Sequence, residues 1–321
     1  MRILRHYENV PAELRGAVAA IGNFDGVHRG HREVLSMAAD LARRQEAPLA
    51  VLTFEPHPRE FFAPKAPPFR LTPFRTKAHL LGQLDVDLLM ALHFDIALSR
   101  KTADEFVDQV LIDGLAVAHV IVGYDFAFGH KRSGNTDLLR ARATAGGFEV
   151  TVVDPVGGDG LAYSSTRIRD CLWQGRPREA ADQLGHWWEI EGRVQQGDQR
   201  GRQLGFPTAN FSVDGYLEPT FGVYAVRVGA EEDGRVVWHD GVANLGRRPT
   251  FGKTDAVLEV HLLDFSRDLY GRHLRVAFVD FIRPERKFDG LEALKAQISA
   301  DSEQARMMLA DPTNGADAFD G

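Results

Sequence analysis

The sequence predicts an α/β domain built on a doubly wound parallel sheet, followed by an antiparallel β-barrel domain with a C-terminal helix. Between residues 1 and 185, short apolar runs alternate with segments whose apolar residues recur at helical spacing, which is typical of a parallel sheet with helices on both faces. From Trp187 onward, short segments of alternating polarity are separated by glycine and aspartate, which indicates an antiparallel barrel or sandwich. Leu291, Leu294 and Ile298 then mark the apolar face of a last helix.

Each element of the first domain follows from its apolar pattern. The predicted strands are 17–21, 49–54, 88–94, 119–122 and 149–153, and the predicted helices lie near 31–46, 74–85, 102–115 and 136–145. Three unusual segments lie at the ends of predicted strands: GNFDGVHRGH (22–31), TFEPHP (53–58) and GYDFAFG (123–129). Because ligands of parallel sheets bind beyond the carboxyl ends of the strands, we expect all three segments to meet in one site.

The pattern changes near residue 186, which predicts the domain boundary. The first domain covers 1–185, and the barrel with its helix covers 186–309. GVYAVRVGA (222–230) and HLRVAFVDFIR (273–283) are typical of its alternating strands. The last residues, 310–321, are acidic and contain glycine, and we expect them to be disordered.

Composition and charge exclude several classes of protein. The chain has 321 residues and a formal net charge of −7, whereas a general nucleic-acid binder usually carries a basic surplus. Its single cysteine, Cys171, excludes an intramolecular disulfide framework and fits a reducing compartment. No apolar run approaches the roughly 20 residues that span a bilayer, and the first residues do not resemble a signal peptide. We expect a cytoplasmic protein that binds neither nucleic acid nor membranes; weak homo-oligomerisation stays open.

GNFDGVHRGH is the most informative segment of the chain. It connects the apolar run 17–21 to a helical pattern and carries His28 and His31 at the start of the predicted helix. Backbone N–H groups and the positive end of the helix dipole attract anions there, and two imidazoles can hydrogen-bond a phosphate under attack. The alternative is an ordinary helix start with two solvated histidines. The HxGH pattern resembles the signature of a nucleotidyltransferase superfamily, whose members attack the α-phosphate of a nucleoside triphosphate and expel pyrophosphate.

Further motifs extend the resemblance over about residues 15–309. Besides the three segments above, they are SSTRIR (164–169), GRQLGFPTAN (201–210), FGVYAV (221–226), NLGRRPTF (244–251), LEVHLLDF (258–265) and DLYG (268–271). Together they resemble the bifunctional bacterial riboflavin kinase/FMN adenylyltransferase (FAD synthetase) family. The resemblance implies that the first domain makes FAD from FMN and ATP, and that the second makes FMN from riboflavin and ATP.

For the first domain, the resemblance implies an adenylyl-transfer site at the HxGH motif. His28 and His31 are the predicted catalytic residues, which stabilise charge on the α-phosphoryl oxygens. The predicted nucleotide- and phosphate-binding residues of this site are Gly22, Phe24, Asp25, Gly30, Asp125, Ser164, Ser165, Thr166 and Arg169. The predicted flavin-binding residues of TFEPHP are Phe54, Pro56, His57 and Pro58.

Several of these residues have a second interpretation. The hydroxyls of SSTRIR are ordinary helix N-caps in many proteins, and Arg169 would then be a surface arginine. Phe54 and the phenylalanines of GYDFAFG would be plain core. Some family members have asparagine at the position of Asp125, so the role of this acid stays open. The basic loop GHKRSGN (129–135) either folds over the pyrophosphate or is a solvated turn.

For the second domain, the resemblance implies a kinase that lacks a GxxxxGK[ST] phosphate loop. Gly201 and Gly205 permit close approach of the backbone to phosphates. Thr208 and Asn210 alternate along an extended stretch and so face one side. The resemblance assigns this pair to Mg²⁺ and the ATP phosphates, so Mg²⁺ is the expected cofactor and ATP the co-substrate.

Glu259 is the predicted catalytic base, which accepts the proton of the riboflavin 5′-hydroxyl as it attacks the γ-phosphate. Its place in an alternating strand would otherwise favour a solvent-facing glutamate. Asn244 and Arg247 are predicted to lie near the flavin. Two other functions stay open: a nucleotidyltransferase acting on another phosphorylated substrate, and a non-catalytic flavin-binding regulator. Neither explains HxGH, GFPTAN and Glu259 together.

Overall fold

The computed structural model describes residues 1–158, 161–196, 205–232, 234–250 and 253–315. The chain divides into two compact units, of which the first comprises Met1–Pro67 and Thr72–Tyr163 and the second comprises Pro68–Leu71 and Ser164–Gly321. Residues 164–185 belong to the second unit, although the sequence pattern assigns them to the first domain. A division by activity at residue 185 stays a prediction.

The first unit alternates strands and helices. Its strands are β1 (Arg2–Leu4), β2 (Val18–Ile21), β3 (Leu49–Glu55), β4 (Leu88–His93), β5 (His119–Gly123), β6 (Glu149–Val153), β7 (Gly157–Gly158) and β8 (Leu161–Ala162). Its helices are α1 (Arg29–Gln45), α2 (Pro58–Phe62), α3 (Phe74–Gly82), α4 (Ile96–Arg100), α5 (Ala103–Phe106) with a π-helical continuation (Val107–Gly114), and α6 (Thr136–Gly146). Ala12–Leu14 and His130–Arg132 are short 3₁₀ segments.

Six of these strands form a parallel sheet in the order β1-β4-β3-β2-β5-β6. From β2 the chain adds β3 and β4 on one side, then returns and adds β5 and β6 on the other. The strand order therefore reverses between β2 and β5, and ligands of open α/β sheets bind at such a reversal. The predicted doubly wound sheet is confirmed, and edge strand β1 is an addition that the apolar pattern did not predict.

Both faces of this sheet are covered by helices. Ala19 and Ile21 of β2 pack into a core with α5 and α6, whereas Val18 and Ala20 pack into a second core with α1 and α3. A strand buried on both faces needs apolar residues at every position. This requirement explains why β2 is an unbroken apolar run in the sequence.

The second unit consists of two helices, an antiparallel sheet and a final helix. Its helices are α7 (Ser165–Trp173), α8 (Pro177–Leu184) and α9 (Leu291–Leu309), and its strands are β9 (Trp188–Arg193), β10 (Ala209–Ser212), β11 (Gly222–Glu232), β12 (Arg235–Thr250), β13 (Lys253–Leu262) and β14 (His273–Pro284). The sheet order is β10-β13-β12-β11-β14-β9, and every pair is antiparallel. Gln195, just beyond β9, bridges to Asn210 of β10, so the two edges of the curved sheet meet. This closure agrees with the predicted barrel.

The barrel is apolar inside and is covered outside by α9. Tyr224 and Val226 of β11 belong to the interior core, whereas Val223 packs into an outer cluster with residues of α9. A partly buried ion pair also holds this helix, because Arg283 of β14 binds the buried Asp301 with an Nη2–Oδ2 distance of 2.7 Å. Among the described residues, no helix is both long and apolar enough to cross a membrane.

The beginning of the predicted disordered tail is ordered. Pro312–Asn314 form a 3₁₀ turn, and Asn314 is buried. The carbonyl oxygen of Asn314 accepts a hydrogen bond from Arg227, and that of Gly315 accepts one from the Trp187 indole. These long-range hydrogen bonds hold the start of the tail in place, although its sequence is poor in apolar residues. Residues 316–321 lie outside the described part of the chain.

Candidate active sites

The turn between β2 and α1 has an unusual backbone. Phe24, Gly26 and Val27 all have positive φ values, of 48°, 91° and 43°. A non-glycine residue in this region costs roughly 1–3 kcal/mol and persists only where its surroundings hold it. Thr72 supplies such a contact: its Oγ1 accepts from the Gly26 N–H at 2.8 Å, and its own N–H donates to Asp25 Oδ1 at 3.0 Å. The buried Asp25 carboxylate thus braces the turn, and its predicted phosphate contact stays a prediction.

The structure brings the two predicted catalytic histidines together at the start of α1. His28 is the N-cap residue, and its Nδ1 accepts a hydrogen bond from the His31 N–H at 3.3 Å. The two imidazoles stack with their centroids 3.6 Å apart. His28 is only 6% exposed, so the interpretation as two solvated histidines is wrong. The pair is preorganised at the positive end of a helix, beside the reversal of the strand order.

The His31 ring is held neutral. Burial lowers its pKa well below the usual histidine value, and the charges of His28 and Lys77 lower it further. Within the described part of the chain, its Nδ1 is buried without a hydrogen-bond partner. A neutral imidazole with an unsatisfied nitrogen can hydrogen-bond a ligand that enters the site.

This low pKa predicts a pH-dependent stability. Below the ordinary histidine pKa of 6.5, the unfolded chain binds a proton on His31 that the folded chain excludes. The unfolded state then holds more protons, so the free energy of unfolding falls as the pH falls through this range. His31→Asn should flatten that dependence. Hydrogen exchange of β2 and β5 amides between about pH 5 and 7.5 measures it; identical slopes in both proteins would contradict the assignment.

Two glycines of the motif have a packing role. A Cβ on Gly30 would lie 3.3 Å from Cε1 and Nδ1 of His28, and one on Gly22 would lie 3.4 Å from the Phe24 ring. The contact at Gly30 is tighter than an ordinary van der Waals separation, and the contact at Gly22 is at the lower limit of one. Gly30 therefore lets the first turn of α1 approach the imidazole closely, and phosphate binding at both glycines stays a prediction.

The segments after β3 and β5 lie at the same edge of the sheet as the HxGH turn. Phe54 is half-buried against a core cluster, with its ring centroid 5.8 Å from that of Phe94. His57 caps α2 by accepting from the Arg59 N–H at 3.0 Å, Pro58 is the first residue of that helix, and Pro56 directly precedes the cap. Flavin binding by these four predicted residues is not decided by these contacts and stays a prediction.

The GYDFAFG segment after β5 separates into core and exposed residues. Phe128 is buried, and it stacks on the half-buried Phe126 at 5.3 Å, which confirms the core interpretation for Phe128. Asp125 is exposed. In the following basic loop, Lys131 and Arg132 are exposed and have left-handed φ values of 54° and 58°. Both interpretations of this loop stay open.

SSTRIR begins helix α7 of the second unit. The Ser164 side chain accepts a hydrogen bond from the Arg167 N–H at 3.3 Å, so Ser164 is the N-cap and Ser165 and Thr166 form the first turn. Arg169 is 8% exposed and its Nε donates to the Phe69 carbonyl oxygen at 2.8 Å, so it is not a surface arginine. The predicted grouping of this segment with His28 in one phosphate site stays a prediction.

The predicted kinase residues align across three neighbouring strands of the second unit. Asn210 of β10 pairs with Glu259 of β13, and Glu259 pairs with Asn244 of β12. Directly paired residues of antiparallel strands share a face of the sheet. Their neighbours Phe211 and Leu258 belong to the interior core, so this row lies on the outer face of the barrel. The register therefore brings together three residues that are far apart in the sequence.

Asn210 is the most constrained residue of this row. It is 7% exposed, and among the described residues its Oδ1 is buried without a hydrogen-bond partner. A cavity of about 300 Å³ is lined by Asn210 and Thr208, together with Pro207 and Ala209, so the alternation of Thr208 and Asn210 stays a prediction. The sequence interpretation did not assign Arg267, Asp268 or Tyr270 to a ligand site, although they line the same cavity and two of them lie in DLYG.

The other predicted residues of this unit have contacts of their own. Asn244 Nδ2 lies 3.4 Å from Glu285 Oε1, and Arg247 forms a 2.8 Å ion pair with Glu218. Gly205 has a left-handed φ of 88°, which favours glycine. Gly201 lies outside the described residues. Ligand binding by these residues stays a prediction.

Comparison with known proteins decides the family. A family model described as FAD synthetase matches residues 10–167, and one described as riboflavin kinase matches residues 184–309. The chain belongs to the bifunctional riboflavin kinase/FMN adenylyltransferase family. It phosphorylates riboflavin to FMN with ATP, and it adenylylates FMN to FAD. The two matches exclude a nucleotidyltransferase without a kinase domain and favour an enzyme over a non-catalytic regulator.

Individual relatives of this bifunctional enzyme match over nearly the whole length. The riboflavin kinase/FMN adenylyltransferase of Pseudomonas fluorescens is 45% identical over 311 residues, which cover 97% of this chain and 98% of the relative. That of Escherichia coli K12 is 41% identical, with 95% and 97% covered. A crystal structure described as a macrolide-efflux protein from Streptococcus pneumoniae has a TM-score of 0.83 at 30% identity, over 95% of this chain and 98% of that one.

Proposed function

We propose that the two activities use separate sets of residues: His28 and His31 for FMN adenylylation, and Thr208, Asn210 and Glu259 for riboflavin phosphorylation. The observation that carries the proposal is the register of the barrel, which aligns Asn210 with Glu259 beside Thr208. The stacked histidine pair at the start of α1 supports the other half.

In adenylyl transfer, an oxygen of the FMN phosphate attacks the α-phosphorus of ATP. A new P–O bond forms, the bond to the β-phosphate bridging oxygen breaks, and pyrophosphate leaves with that electron pair. No protein nucleophile is needed, so alignment and charge stabilisation supply the rate. The imidazoles of His28 and His31 and the N-terminus of α1 stabilise the negative charge that builds on the α-phosphoryl oxygens. Ser164, Ser165, Thr166 and Arg169 are proposed to bind the triphosphate.

In riboflavin phosphorylation, Glu259 accepts the proton of the 5′-hydroxyl while that oxygen attacks the γ-phosphorus, and ADP leaves. The donors at the site suit Mg²⁺, which prefers hard oxygen ligands and keeps several waters. We propose that the buried Oδ1 of Asn210 and the hydroxyl oxygen of Thr208 would hold the Mg²⁺ ion. Bound Mg²⁺ neutralises charge on the ATP phosphates. Asn210 and Thr208 orient the nucleotide, and Glu259 moves the proton.

We further place the protein in the cytoplasm, with riboflavin, FMN and ATP as its ligands and without nucleic-acid or membrane partners. The support is the ATP that both reactions consume, the single cysteine and the net charge of −7.

Asn210→Ala tests the proposed metal site. Loss of an oxygen ligand should raise the Mg²⁺ concentration for half-maximal riboflavin phosphorylation by at least about tenfold. The Mg²⁺ dependence of FMN adenylylation should not change. Ser212→Ala, two residues further along β10, is the matched control. Product chromatography across a Mg²⁺ titration measures both reactions, and an unchanged requirement for phosphorylation would rule out Asn210 as a ligand.

A further inference from the structure

Lys77 is a fully buried lysine in α3, with 1% of its surface exposed. Lysine is among the residues that are almost never fully buried unless paired, because the ammonium group loses its hydration. Here Nζ donates a hydrogen bond to the carbonyl oxygen of Asn23 at 2.7 Å, across 54 positions of sequence. Asn23 lies in the GNFDGVHRGH turn, so the buried charge is directed at the backbone that carries the histidines.

The Asn23 carbonyl is held from two elements. Besides Lys77 of α3, Thr53 of β3 donates its Oγ1 hydrogen to the same oxygen at 3.2 Å. The next residue, Phe24, has the left-handed φ of 48°, and its ring centroid lies 5.1 Å from that of His31. Fixing the Asn23 carbonyl therefore fixes the peptide that precedes Phe24. Through the Phe24 ring, the same contact reaches the His31 imidazole.

Lys77 also acts on His31 through its charge. The groups whose charges act on the His31 ring include His28, stacked on it from the same turn, and Lys77 from α3. Asp25 of the same turn is held by Thr72. After burial, the charges of His28 and Lys77 are the causes that lower the pKa of His31.

We propose that Lys77 is a positioning residue for FMN adenylylation, which holds the HxGH turn through the Asn23 carbonyl and acts through its charge on the His31 ring. The inference rests on the proposed role of His28 and His31. It adds a residue that lies outside the motif and touches the turn, not the reacting atoms.

Lys77→Met tests the proposal in the full-length enzyme, because it keeps the length of the side chain and removes the charge and the donor. We expect kcat of FMN adenylylation to fall by about 10–100-fold, as displaced catalytic groups typically cause. Riboflavin phosphorylation by the same preparation should stay unchanged. Lys101→Met is the matched control, because Lys101 donates to Gln109 and not to the turn; both activities should be retained.

A second readout separates positioning from mere stability. NMR titration of the His31 imidazole should show a higher pKa in Lys77→Met than in the natural protein. The decline of adenylylation on acidification (the acid limb of its pH profile) should therefore begin at a higher pH. Lys77→Arg keeps a positive charge and a hydrogen-bond donor, so its adenylylation should decline on acidification at the same pH as in the natural protein. Hydrogen exchange of β2 amides establishes that the first unit is folded in each variant.

Full adenylylation by Lys77→Met would overturn the proposal. A loss of activity with an unmoved His31 pKa would overturn it as well, because the lysine would then be only structural. If Lys77→Met unfolds the first unit, Lys77→Arg is the deciding variant. A folded Lys77→Arg protein whose acid limb differs from that of the natural protein would contradict the proposed effect of the Lys77 charge on His31. His31→Asn tests the proposed function separately, since full adenylylation by that variant would remove the role of the histidine whatever Lys77 does.

Discussion

We expect Glu259→Gln to reduce riboflavin phosphorylation by about 10²–10⁴-fold, the usual contribution of a general base. The amide keeps the shape of the side chain and its place opposite Asn210 and Asn244, but it cannot accept the proton of the 5′-hydroxyl. FAD formation from supplied FMN should stay unchanged, because Glu259 belongs to the set of residues proposed for phosphorylation and not to the set proposed for adenylylation. Chromatography of FMN and FAD after incubation with riboflavin or with FMN measures both activities.

Glu292→Gln is the control for this variant. It removes the same carboxylate from α9, where Glu292 is exposed, and both activities should be retained. Glu259→Gln with undiminished FMN formation would show that another group takes the proton. Loss of both activities in a folded protein would contradict the assignment of the two reactions to separate sets of residues.

His28→Asn should have the opposite effect, with FMN adenylylation reduced by about 10²–10³-fold, the size of effect seen when one charge-stabilising group is removed. Asparagine is chosen because it is a strong N-cap residue, so it can replace the hydrogen bond that His28 accepts from the His31 N–H. The variant therefore removes the imidazole and keeps the helix start. FMN formation from riboflavin should continue, and FMN should accumulate.

The matched control is His79→Asn, which removes an exposed imidazole from α3 and should leave both activities intact. Normal FAD formation by His28→Asn would mean that the stacked pair is not part of the reaction. A His28→Ala variant separates the two contributions of this residue, because alanine loses the cap as well as the ring. The difference between the two variants measures the importance of the cap.

The pattern of apolar residues was sufficient for much of the fold. Strand β6 has the predicted bounds, because Gly147 ends the preceding helix and Asp154 ends the apolar run. By contrast, β1 contains only three residues, and Arg2 and Ile3 are exposed, so it carries no distinct apolar signal. The tail shows the same limit, since the order of Pro312–Asn314 comes from hydrogen bonds of Arg227 and Trp187 to its backbone and not from its own composition.

The sequence by itself determined the class of chemistry. HxGH at a helix start and GFPTAN at the start of a strand are local patterns. Such patterns can be recognised from sequence alone, because neighbouring residues adopt regular backbone conformations together. Thr208 and Asn210 both line one cavity, as do Pro207 and Ala209, so this stretch of the sequence enters the site as a unit.

Only the tertiary structure decided what surrounds these motifs. Asn210, Glu259 and Asn244 become neighbours because β13 lies between β10 and β12, a consequence of strand pairing and not of spacing. Lys77 reaches the HxGH turn because α3 packs against the same sheet, and the burial of Arg169 excludes the alternative interpretation of this residue as a surface arginine. Contacts between distant residues depend on how the elements pack, and a single sequence contains no direct record of that packing.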